Sequence, residues 1–583
     1  MPLNKPTSTS ENTDDEVYST TPSEEGNTVN VDQLLEKYVG PCGLWQWGVA
    51  LLLMFSMSAL TTFPVYANSA SPHRCRMDDL VEDFVRTYNI TFDQLAPLIG
   101  PWDEDKGGQA SVPKKDYGCF RYRYNWSKSI LNEVLLKAVK HEEIFSSPLE
   151  RCPRGYVFQP SPYYYPHGVV PEFETLCEWQ WLVPTGTSVY MFGMMLGFVF
   201  GGMLGDKLGR KKTILLFAGV ELVSGIWTCL SPNYVSYIIA RAFMGMGNTA
   251  KVTAGNVLCV ELTVARYRSV LHAVLTIGLN FVYRGLTALW AYLIPQWRLL
   301  HVVVMCPNFL SVLYFFLLPE SPRWLISQNR SDEALKVLRV GCQVNNFWKG
   351  KEKTEELREH ITHSFRLEPL LTPVGKDKRR GRFQLFKLCA NRQISKSVVF
   401  GVLLLIGIVM CYFGLLLYAR IVYGYVYLVA FLNSLTAVPA TLLSMLTYRY
   451  VRHRKRPIFV LLGVGMLVLL GTSLFIILTK PKTDTLLTVS SNIVLILANA
   501  SLNMCYIYVP ELFPSEIRTH AFGFILGLAR IGSILCTFVN ELDTIVAHSA
   551  PLLVYAGAFL LSLFALTFSK DTTGENLADM ASD

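Results

Sequence analysis

The most informative shortage in this 583-residue sequence is charge. Only 17% of its residues are charged, whereas 51% are hydrophobic and 12% are aromatic; an average soluble domain has roughly 25% charged residues. The apolar residues are gathered in blocks of about 20, the length of a helix that crosses a hydrocarbon layer of roughly 30 Å. This pattern excludes a soluble enzyme, a collagen-like fibre, a disordered scaffold and a nucleic-acid-binding protein with a basic face. It predicts an all-α polytopic membrane protein.

Several chemical signatures are also missing. No G-x4-G-K-[ST] phosphate-binding loop occurs, so ATP hydrolysis by this chain is not expected to drive its function. His360 and His363 have a spacing that suits a metal, but no third ligand stands near them. We therefore expect no enzyme activity, no cofactor, no metal and no nucleic-acid partner. Residues 1–40 are polar and lack an apolar core, so the first span is expected to act as an uncleaved signal anchor.

Twelve apolar segments are long enough to span a bilayer. Since lipid offers the backbone no hydrogen bonds, runs this long must be helical. The predicted spans are 43–66, 184–205, 212–231, 235–260, 269–294, 299–318, 396–419, 424–447, 456–479, 484–509, 519–540 and 550–569.

Lys and Arg residues mark one side of the membrane as cytosolic. They concentrate in the loops after spans 2, 4 and 8 and in the segment 319–395, which all fall on the same side. Both termini are therefore predicted to be cytosolic, with the cell membrane as the location. The predicted parts are a disordered N-terminus (1–40), a six-helix bundle (41–318) with a large extracellular loop (67–183), a linker with short helices (319–395), a second six-helix bundle (396–569) and a tail (570–583).

The extracellular loop 67–183 has the marks of a secreted domain. Its cysteines are Cys75, Cys119, Cys152 and Cys177. An even number of cysteines on the extracellular side predicts two disulfides, for which the sequence leaves three pairings open. Sequons at Asn89 and Asn125 predict glycosylation. The alternative, reduced thiols and unused sequons, would require the opposite topology.

The short loop between spans 2 and 3 carries the most distinctive local motif, which runs from Gly202 to Lys212 and includes Asp206, Gly209 and Arg210. Its glycines are predicted to let two helix ends approach closely. Asp206 is then placed to pair with a basic residue or to face a helix N-terminus. We expect a charge latch that fastens the cytosolic side in one conformation and breaks in another. The plainer interpretation is an ordinary positive loop that happens to contain Gly and Asp.

An internal repeat links the two halves of the chain. Glu261 follows span 4 and precedes Arg268 by seven residues, and Glu511 follows span 10 and precedes Arg518 by seven residues. The matching positions indicate two six-helix halves. Transporters built from such repeats bind their substrate near mid-membrane, between the halves.

Two arginines lie inside the predicted spans: Arg530 in span 11 and Arg284 in span 5. An ionisable side chain there costs roughly 2.5–3.5 kcal/mol and usually faces protein or a water-filled cavity. We expect neither arginine to have a carboxylate partner within the spans, so an anionic substrate would supply the missing charge. The alternative is that each binds helix-end carbonyls or extends to the interface.

The loop motif resembles the signature loop of the major facilitator superfamily. Further strings resemble the organic cation/anion transporter branch, the solute carrier 22 family, over residues 31–577. They are His73-Arg-Cys-Arg76, Glu174-Thr-Leu-Cys177, Trp181-Leu-Val-Pro184, Pro319-Glu-Ser-Pro-Arg-Trp-Leu325 and Tyr508-Val-Pro-Glu-Leu-Phe-Pro514. The resemblance implies the major facilitator fold and a secondary transporter of small organic ions that works by alternating access.

The resemblance also implies site residues. Tyr412, Phe413 and Tyr506 match family positions that face the substrate. Arg530 matches a position at which anion and carnitine-type carriers have arginine and cation carriers have an acidic residue. Two positions depart from the pattern: Arg284 replaces a neutral amide, and Thr441 stands where anion carriers tend to have lysine.

An organic anion or zwitterion is therefore predicted as the substrate. Two alternatives remain: an organic cation carrier on the same scaffold, in which aromatic faces bind the cation, and a non-transporting membrane receptor that uses the extracellular loop. The second-half counterpart of the latch loop, Arg449 to Arg456, has lost the Asp and both glycines. This loss is the only sequence feature that favours a receptor. The sequence leaves the oligomeric state open.

Overall fold

The structure is a computed structural model that describes residues 34–56, 60–69, 71–102, 116–124, 126, 144, 147–159, 161–264, 267–328, 330–347, 392–422, 424–451, 453–481, 483–513 and 518–571. Within these ranges it is predominantly helical. The helices of the N-terminal half are α1 Leu44–Phe55, α2 Phe63–Ala67, α3 Asp79–Thr87, α4 Phe92–Ile99, α5 Val169–Phe173, α6 Leu182–Leu208, α7 Arg210–Leu230, α8 Tyr234–Glu261, α9 Arg268–Ile277, α10 Arg284–Leu293, α11 Trp297–Met305 and α12 Tyr314–Leu317. A π-helical stretch, Gly278–Tyr283, joins α9 to α10, and a 3₁₀ stretch, Cys306–Leu313, joins α11 to α12.

The linker and the C-terminal half continue the same architecture. The linker helices are α13 Pro322–Ser327 and α14 Ser331–Asn345. The helices that follow are α15 Arg392–Tyr418, α16 Val426–Leu435, α17 Ala437–Tyr450, α18 Lys455–Thr479, α19 Thr485–Glu511, α20 Arg518–Val539, α21 Leu542–Ile545 and α22 Ala550–Phe568. A short π-helix, Leu35–Val39, precedes α1, and a 3₁₀ turn, Cys177–Trp179, precedes α6.

Ten helical runs in the described residues are long and apolar enough to cross a membrane. Two predicted spans fall outside that set. α1 has only 12 residues and ends at Phe55, so the predicted first span 43–66 is broken rather than continuous. α8 has 28 residues but contains the charged side chains Arg241 and Lys251. The multi-pass helical architecture is therefore shown, while the count of twelve stays a prediction.

The extracellular loop folds into a small cap with two antiparallel strand pairs. Strand β1 His73–Cys75 pairs with β4 Tyr156–Phe158, and β2 Phe120–Tyr122 pairs with β3 Leu149–Arg151. The disulfides are Cys75–Cys152 and Cys119–Cys177. The first bond joins β1 to the residue after β3 and so connects the two strand pairs, whereas the second ties the residue before β2 to the 3₁₀ turn that precedes α6.

An ion pair fixes the start of the cap. The two terminal nitrogens of Arg74, Nη1 and Nη2, donate to the Glu82 carboxylate at 2.7 and 2.8 Å, and the Met77 amide donates to the same carboxylate at 2.8 Å. Burial alone would raise the pKa of Glu82, but the hydrogen bonds from Arg74 and Met77 outweigh it, and the pKa is lowered. The first predicted glycosylation site, Asn89, is exposed on this cap, whereas Asn125 lies outside the described residues.

The apolar core shows where the two halves meet. One cluster of buried side chains contains residues of both halves and includes Phe63, Tyr190, Phe413 and Tyr555. A separate cluster joins helices of the N-terminal half to the linker helices, with Trp324 among its members. The two halves therefore share one apolar cluster, whereas the linker helices belong to the second one.

Helices α6 and α20 form part of this contact. The Ser188 hydroxyl donates to the Ile534 carbonyl at 3.1 Å. A Cβ atom added to Gly527 would lie 3.4 Å from Val199, whereas Cβ atoms added to Gly202 or Gly523 would meet no described atom within 4 Å. Contacts between the two helices thus include the stretch from Ser188 to Val199 of α6 and the stretch from Gly527 to Ile534 of α20.

Candidate functional site

Arg530 occupies the middle of α20 at the junction of the two halves. It is 9% exposed, and its guanidinium carbon lies 4.8 Å from the ring centroid of Phe413 on α15 and 4.9 Å from that of Phe198 on α6. Its Nη1 finds no hydrogen-bond partner among the described residues. Cation–π contacts contribute about 0.5–2 kcal/mol each, so two of them are comparable with the roughly 2.5–3.5 kcal/mol cost of placing the charge in the membrane. They give Nη1 no hydrogen bond, so one donor face of the guanidinium stays unsatisfied.

Arg284 lies at the start of α10, directly after the π-helical stretch, and is 8% exposed. Its Nη1 donates a 2.8 Å hydrogen bond to the hydroxyl of Tyr412 on α15, and its guanidinium carbon is 5.7 Å from that ring. This contact connects the two halves, since α10 belongs to the first and α15 to the second. A phenol hydroxyl is a neutral acceptor, so the charge of Arg284 is not neutralised by it.

The remaining predicted aromatic residues lie around the same point. The rings of Tyr412 and Phe413 are 5.1 Å apart in an edge-to-face arrangement, and Tyr506 on α19 packs against Phe522 at 5.9 Å. Tyr506 and Tyr412 are both close enough to interact electrostatically with Arg530. The structure therefore brings together Arg530, Arg284, Tyr412, Phe413 and Tyr506, which come from α10, α15, α19 and α20.

A third buried arginine was missed by the sequence reasoning. Arg241 on α8 is 1% exposed, and its guanidinium carbon is 4.3 Å from the ring centroid of Tyr190 and 5.5 Å from that of Phe63. Neither terminal nitrogen of Arg241, nor the Tyr190 hydroxyl, has a hydrogen-bond partner in the described part of the chain. Arg284 and Arg530 are also close enough to Tyr190 to interact with it electrostatically. An inspection of every ionisable residue within the spans would have found Arg241.

The carboxylates near these arginines need one correction. We expected Arg530 and Arg284 to have no carboxylate partner. Among the described residues, no carboxylate oxygen forms an ion pair within 4.0 Å of a guanidinium nitrogen of Arg530, Arg284 or Arg241. A carboxylate does lie mid-membrane, however: Glu221 on α7, which pairs with Lys251 at 2.6 Å. It was overlooked in the sequence, and its charge is already compensated by Lys251.

The loop between α6 and α7 forms a charge cluster around Arg210, as its motif predicts. Its Nη2 lies 3.1 Å from Asp206 Oδ1 and 3.0 Å from Glu261 Oε1, and its Nη1 donates to the Gly205 carbonyl at 2.9 Å. These contacts tie the α6–α7 loop to the end of α8. Arg268 sits nearby and donates from Nε to the Thr263 carbonyl at 3.4 Å.

Glu320 and Trp324, which follow the sixth predicted span, complete this cluster. Glu320 Oε1 accepts hydrogen bonds from the backbone amides of Arg210 at 2.8 Å and Lys211 at 3.1 Å. A carboxylate on the first amides of α7 satisfies donors that have no partner within the helix and complements the helix dipole. Trp324 Nε1 donates to the Asp206 carbonyl at 2.9 Å. The sequence reasoning assigned Glu320 no role, because its target is a backbone amide that no motif reveals.

The glycines of this loop were expected to let two helix ends approach closely, and the structure gives them different roles. Gly209 has φ of +96°, a conformation that favours glycine, and a Cβ there would lie 2.4 Å from Glu320 Oε2. Gly202 does not mediate a close approach in this conformation, since an added Cβ meets nothing within 4 Å. The close packing occurs further up α6, where a Cβ at Gly193 would lie 2.0 Å from the Ala242 carbonyl oxygen of α8.

The second-half counterpart is simpler in the described residues. Arg454 Nη2 lies 3.6 Å from Glu511 Oε1. Arg518 begins α20, but its side chain lies outside the described residues. The repeat thus places a carboxylate at the cytosolic end of α8 and of α19, with an arginine from the adjacent loop against each.

These features define a class of protein. Helical halves that share one apolar core, with cationic and aromatic side chains converging between them, are the architecture of a multi-pass secondary transporter. A solved structure of the xylose transporter XylE from E. coli, titled as a proton:xylose symporter of the major facilitator superfamily, has the same fold, with a TM-score of 0.51, 16% sequence identity and coverage of 91% of this chain and 98% of that one.

Sequence comparison identifies the family. A model described as "Sugar (and other) transporter" matches residues 158–582, more than half of the chain, and the protein belongs to that family. Curated relatives include organic cation/carnitine transporter 2 of Homo sapiens, 27% identical over 551 residues, which cover 92% of this chain and 91% of that protein. Solute carrier family 22 member 1 of Oryctolagus cuniculus is 27% identical over 564 residues and 95% of each chain. The predicted resemblance to the solute carrier 22 family is confirmed by these relatives, and the protein is a secondary transporter.

Proposed function

We propose that the protein carries small organic anions or zwitterions across the plasma membrane by alternating access, with both termini in the cytosol. The observation that supports this most is Arg530, which is buried between the rings of Phe198 and Phe413 with an unsatisfied Nη1. A buried guanidinium favours a carboxylate or another planar anion, to which it can donate two parallel hydrogen bonds.

The surrounding charges support the same substrate class. Arg284 and Arg241 add two further cations, and Tyr190 lies close enough to interact with all three arginines. In a medium of low dielectric constant their mutual repulsion is unfavourable, and a bound anion relieves it. The charge compensation that the empty carrier lacks would then be supplied by the substrate itself.

A zwitterion is compatible with the same geometry. Its carboxylate would bind Arg530, while its ammonium group would face aromatic rings such as Tyr506. The name of the human relative includes carnitine, a quaternary ammonium carboxylate. We therefore include zwitterions of this kind among the proposed substrates.

The second candidate is an organic cation carrier. The aromatic faces around Arg530 and the words "organic cation" in the relatives' names favour it. Against it stand three buried arginines, which repel a cationic ligand. A non-transporting receptor is the third alternative, and it predicts ligand binding without solute flux.

Uptake of a labelled panel of organic anions, zwitterions and cations into expressing cells tests the proposal. We expect saturable uptake of at least one anion or zwitterion and mutual competition among those that are transported. Uptake restricted to cations would favour the second candidate. Saturable binding at the cell surface, with no intracellular accumulation of any member of the panel, would favour a receptor.

The charge cluster around Arg210 is proposed to stabilise one conformation of the cytosolic side. It connects the α6–α7 loop, the end of α8 and the segment after α12. All of these elements belong to the N-terminal half, and we expect their contacts to break when the cytosolic side adopts its other conformation.

A further inference from the structure

A buried ammonium group lies in the N-terminal bundle, apart from the three arginines. Lys251 on α8 is 2% exposed, and its Nζ is enclosed by oxygen atoms from three other elements. The distances are 2.6 Å to Glu221 Oε2, 2.7 Å to Asn308 Oδ1 and 3.0 Å to the Ser56 carbonyl. A carboxylate, an amide and a backbone carbonyl thus surround one positive charge, and all three residues are fully buried.

Two of these oxygens, Asn308 Oδ1 and the Ser56 carbonyl, accept hydrogen bonds from the ammonium group, and the Glu221 carboxylate forms an ion pair with it. Asn248 Nδ2 donates to Glu221 Oε1 at 2.9 Å, which leaves the other carboxylate oxygen facing Lys251. Asn308 directs its Oδ1 at the ammonium group although its Nδ2 finds no partner in the described part of the chain. An unsatisfied buried donor costs about 1–3 kcal/mol, so the amide orientation is set by the positive charge.

The Ser56 carbonyl lies at the C-terminal end of α1, within the first predicted span. α1 ends at Phe55, and Ser56 is its C-terminal cap. Hard cations such as the alkali ions prefer oxygen ligands. Backbone carbonyls freed by an unwound helix, together with side-chain oxygens, are how membrane transporters coordinate Na⁺ or H⁺. The oxygen atoms around Lys251 are therefore of the kinds that bind a monovalent cation. Here the cation in their midst is the ammonium group of Lys251 itself.

Energetics favour a functional reason for this arrangement. A buried ion pair is often no more stable than well-packed apolar residues of the same volume, whereas removing one partner is strongly destabilising. Without the ammonium group, Glu221 would be a buried carboxylate with two further oxygens pointing at the vacated position. A small cation from solution would then be stabilised there.

We propose that Lys251 is a built-in cation that fills an alkali-metal-type site between α1, α7, α8 and the 3₁₀ stretch Cys306–Leu313. The natural protein therefore requires no free monovalent cation at this position, and loss of the lysine converts the position into a binding site for one. The inference does not depend on which solute the protein carries.

Thermal unfolding of the purified full-length protein tests this directly. The variants are Lys251→Asn, which removes the ammonium group, and the double variant Glu221→Gln with Lys251→Asn, which also removes the carboxylate. Each is melted in LiCl, NaCl, KCl or choline chloride at equal ionic strength. Choline is too large to enter a dry site of this kind, so it controls for general salt effects.

We expect the melting temperature of the natural protein and of the double variant to be the same in all four salts. The single variant should melt at a higher temperature in at least one alkali chloride than in choline chloride, with a saturable dependence on concentration. A single variant that melts identically in all four salts would overturn the proposal.

Poor folding of the single variant still gives a result. Recovery that improves when an alkali chloride is present during purification supports the proposal, and failure in every salt while the double variant is recovered contradicts it. If neither variant folds, the natural protein decides the question. If an alkali cation selectively stabilises the natural protein, and Glu221→Gln abolishes that stabilisation, a free ion already occupies the site and the proposal is wrong. If the melting temperature of the natural protein is the same with every cation, the result supports a built-in cation.

Discussion

Replacement of Arg530 by alanine should separate substrate binding from stability. The guanidinium is buried between Phe198 and Phe413 and has an unsatisfied donor. If a substrate carboxylate accepts that donor, the variant loses a charge-assisted hydrogen bond of roughly 1.5–3 kcal/mol. At about 1.4 kcal/mol for each factor of ten, the KM for an anion or zwitterion should rise by about 10- to 150-fold.

The same change should alter the folded protein little. Loss of two cation–π contacts removes about 0.5–2 kcal/mol each, while the guanidinium no longer has to be held in the membrane at roughly 2.5–3.5 kcal/mol. Because the two effects are similar in size and opposite in sign, the melting temperature should change only slightly. A purely structural arginine would instead make the protein unstable when replaced.

The assay is uptake of a labelled anion or zwitterion, normalised to the amount of protein at the cell surface. Arg86→Ala is the matched control, since it removes the same side chain from an exposed position on the extracellular cap, and it should leave KM unchanged. Arg530→Asp extends the test, because an acidic residue there should restore binding only for cations. Undiminished uptake of every anionic and zwitterionic substrate by Arg530→Ala would refute the role given to this residue.

Three further predictions concern parts of the structure outside the substrate site. Arg210→Ala removes ion pairs to two partly exposed carboxylates, each worth roughly 0.2–1 kcal/mol; we expect a several-fold lower maximal uptake rate with little change in KM, and a change confined to KM would contradict a conformational role. Replacing Cys119 and Cys177 together by serine should destabilise the cap by about 2–4 kcal/mol and lower its melting temperature, whereas Cys306→Ser, at an exposed free cysteine, should not. His548 donates hydrogen bonds to the carboxylates of Asp484 and Asp543, which raise its pKa from 6.5 to about 10, so its stabilising contribution is complete below pH 6.5 and is lost as the pH rises through 10. The difference in melting temperature between the natural protein and His548→Gln should therefore shrink from pH 7 to pH 10, and a constant difference would contradict this coupling.

Average composition along the chain was enough to predict the membrane architecture. Runs such as Lys455–Thr479 and Ala550–Phe568 are apolar over their whole length, and the lack of backbone partners in lipid makes them helices. The break at Ser56 was not predictable in this way, because a hydropathy average does not register the end of a helix inside an apolar segment. The pairing of the four cap cysteines also required coordinates, since all three combinations fit the spacing.

Single polar residues within the spans were the features that the sequence alone revealed least well. Glu221 and Lys251 are 30 positions apart and on different helices, so only the packing of α7 against α8 shows that they neutralise each other. Arg530 and Arg284 were found because the sequence was inspected for charges in those spans, and Arg241 was missed although the same criterion applies to it. Glu320 was missed for another reason: its partners are backbone amides, which have no signature in the sequence.

The central claim is that unneutralised arginines between two helical halves bind a small charged solute that the protein then moves across the membrane. The most direct test is counterflow of labelled organic anions and zwitterions into proteoliposomes that contain only the purified natural protein. We predict saturable accumulation of at least one of them, which is abolished by excess unlabelled solute on the outside. Accumulation of cations alone, or binding of a solute with no accumulation in sealed vesicles, would contradict the account.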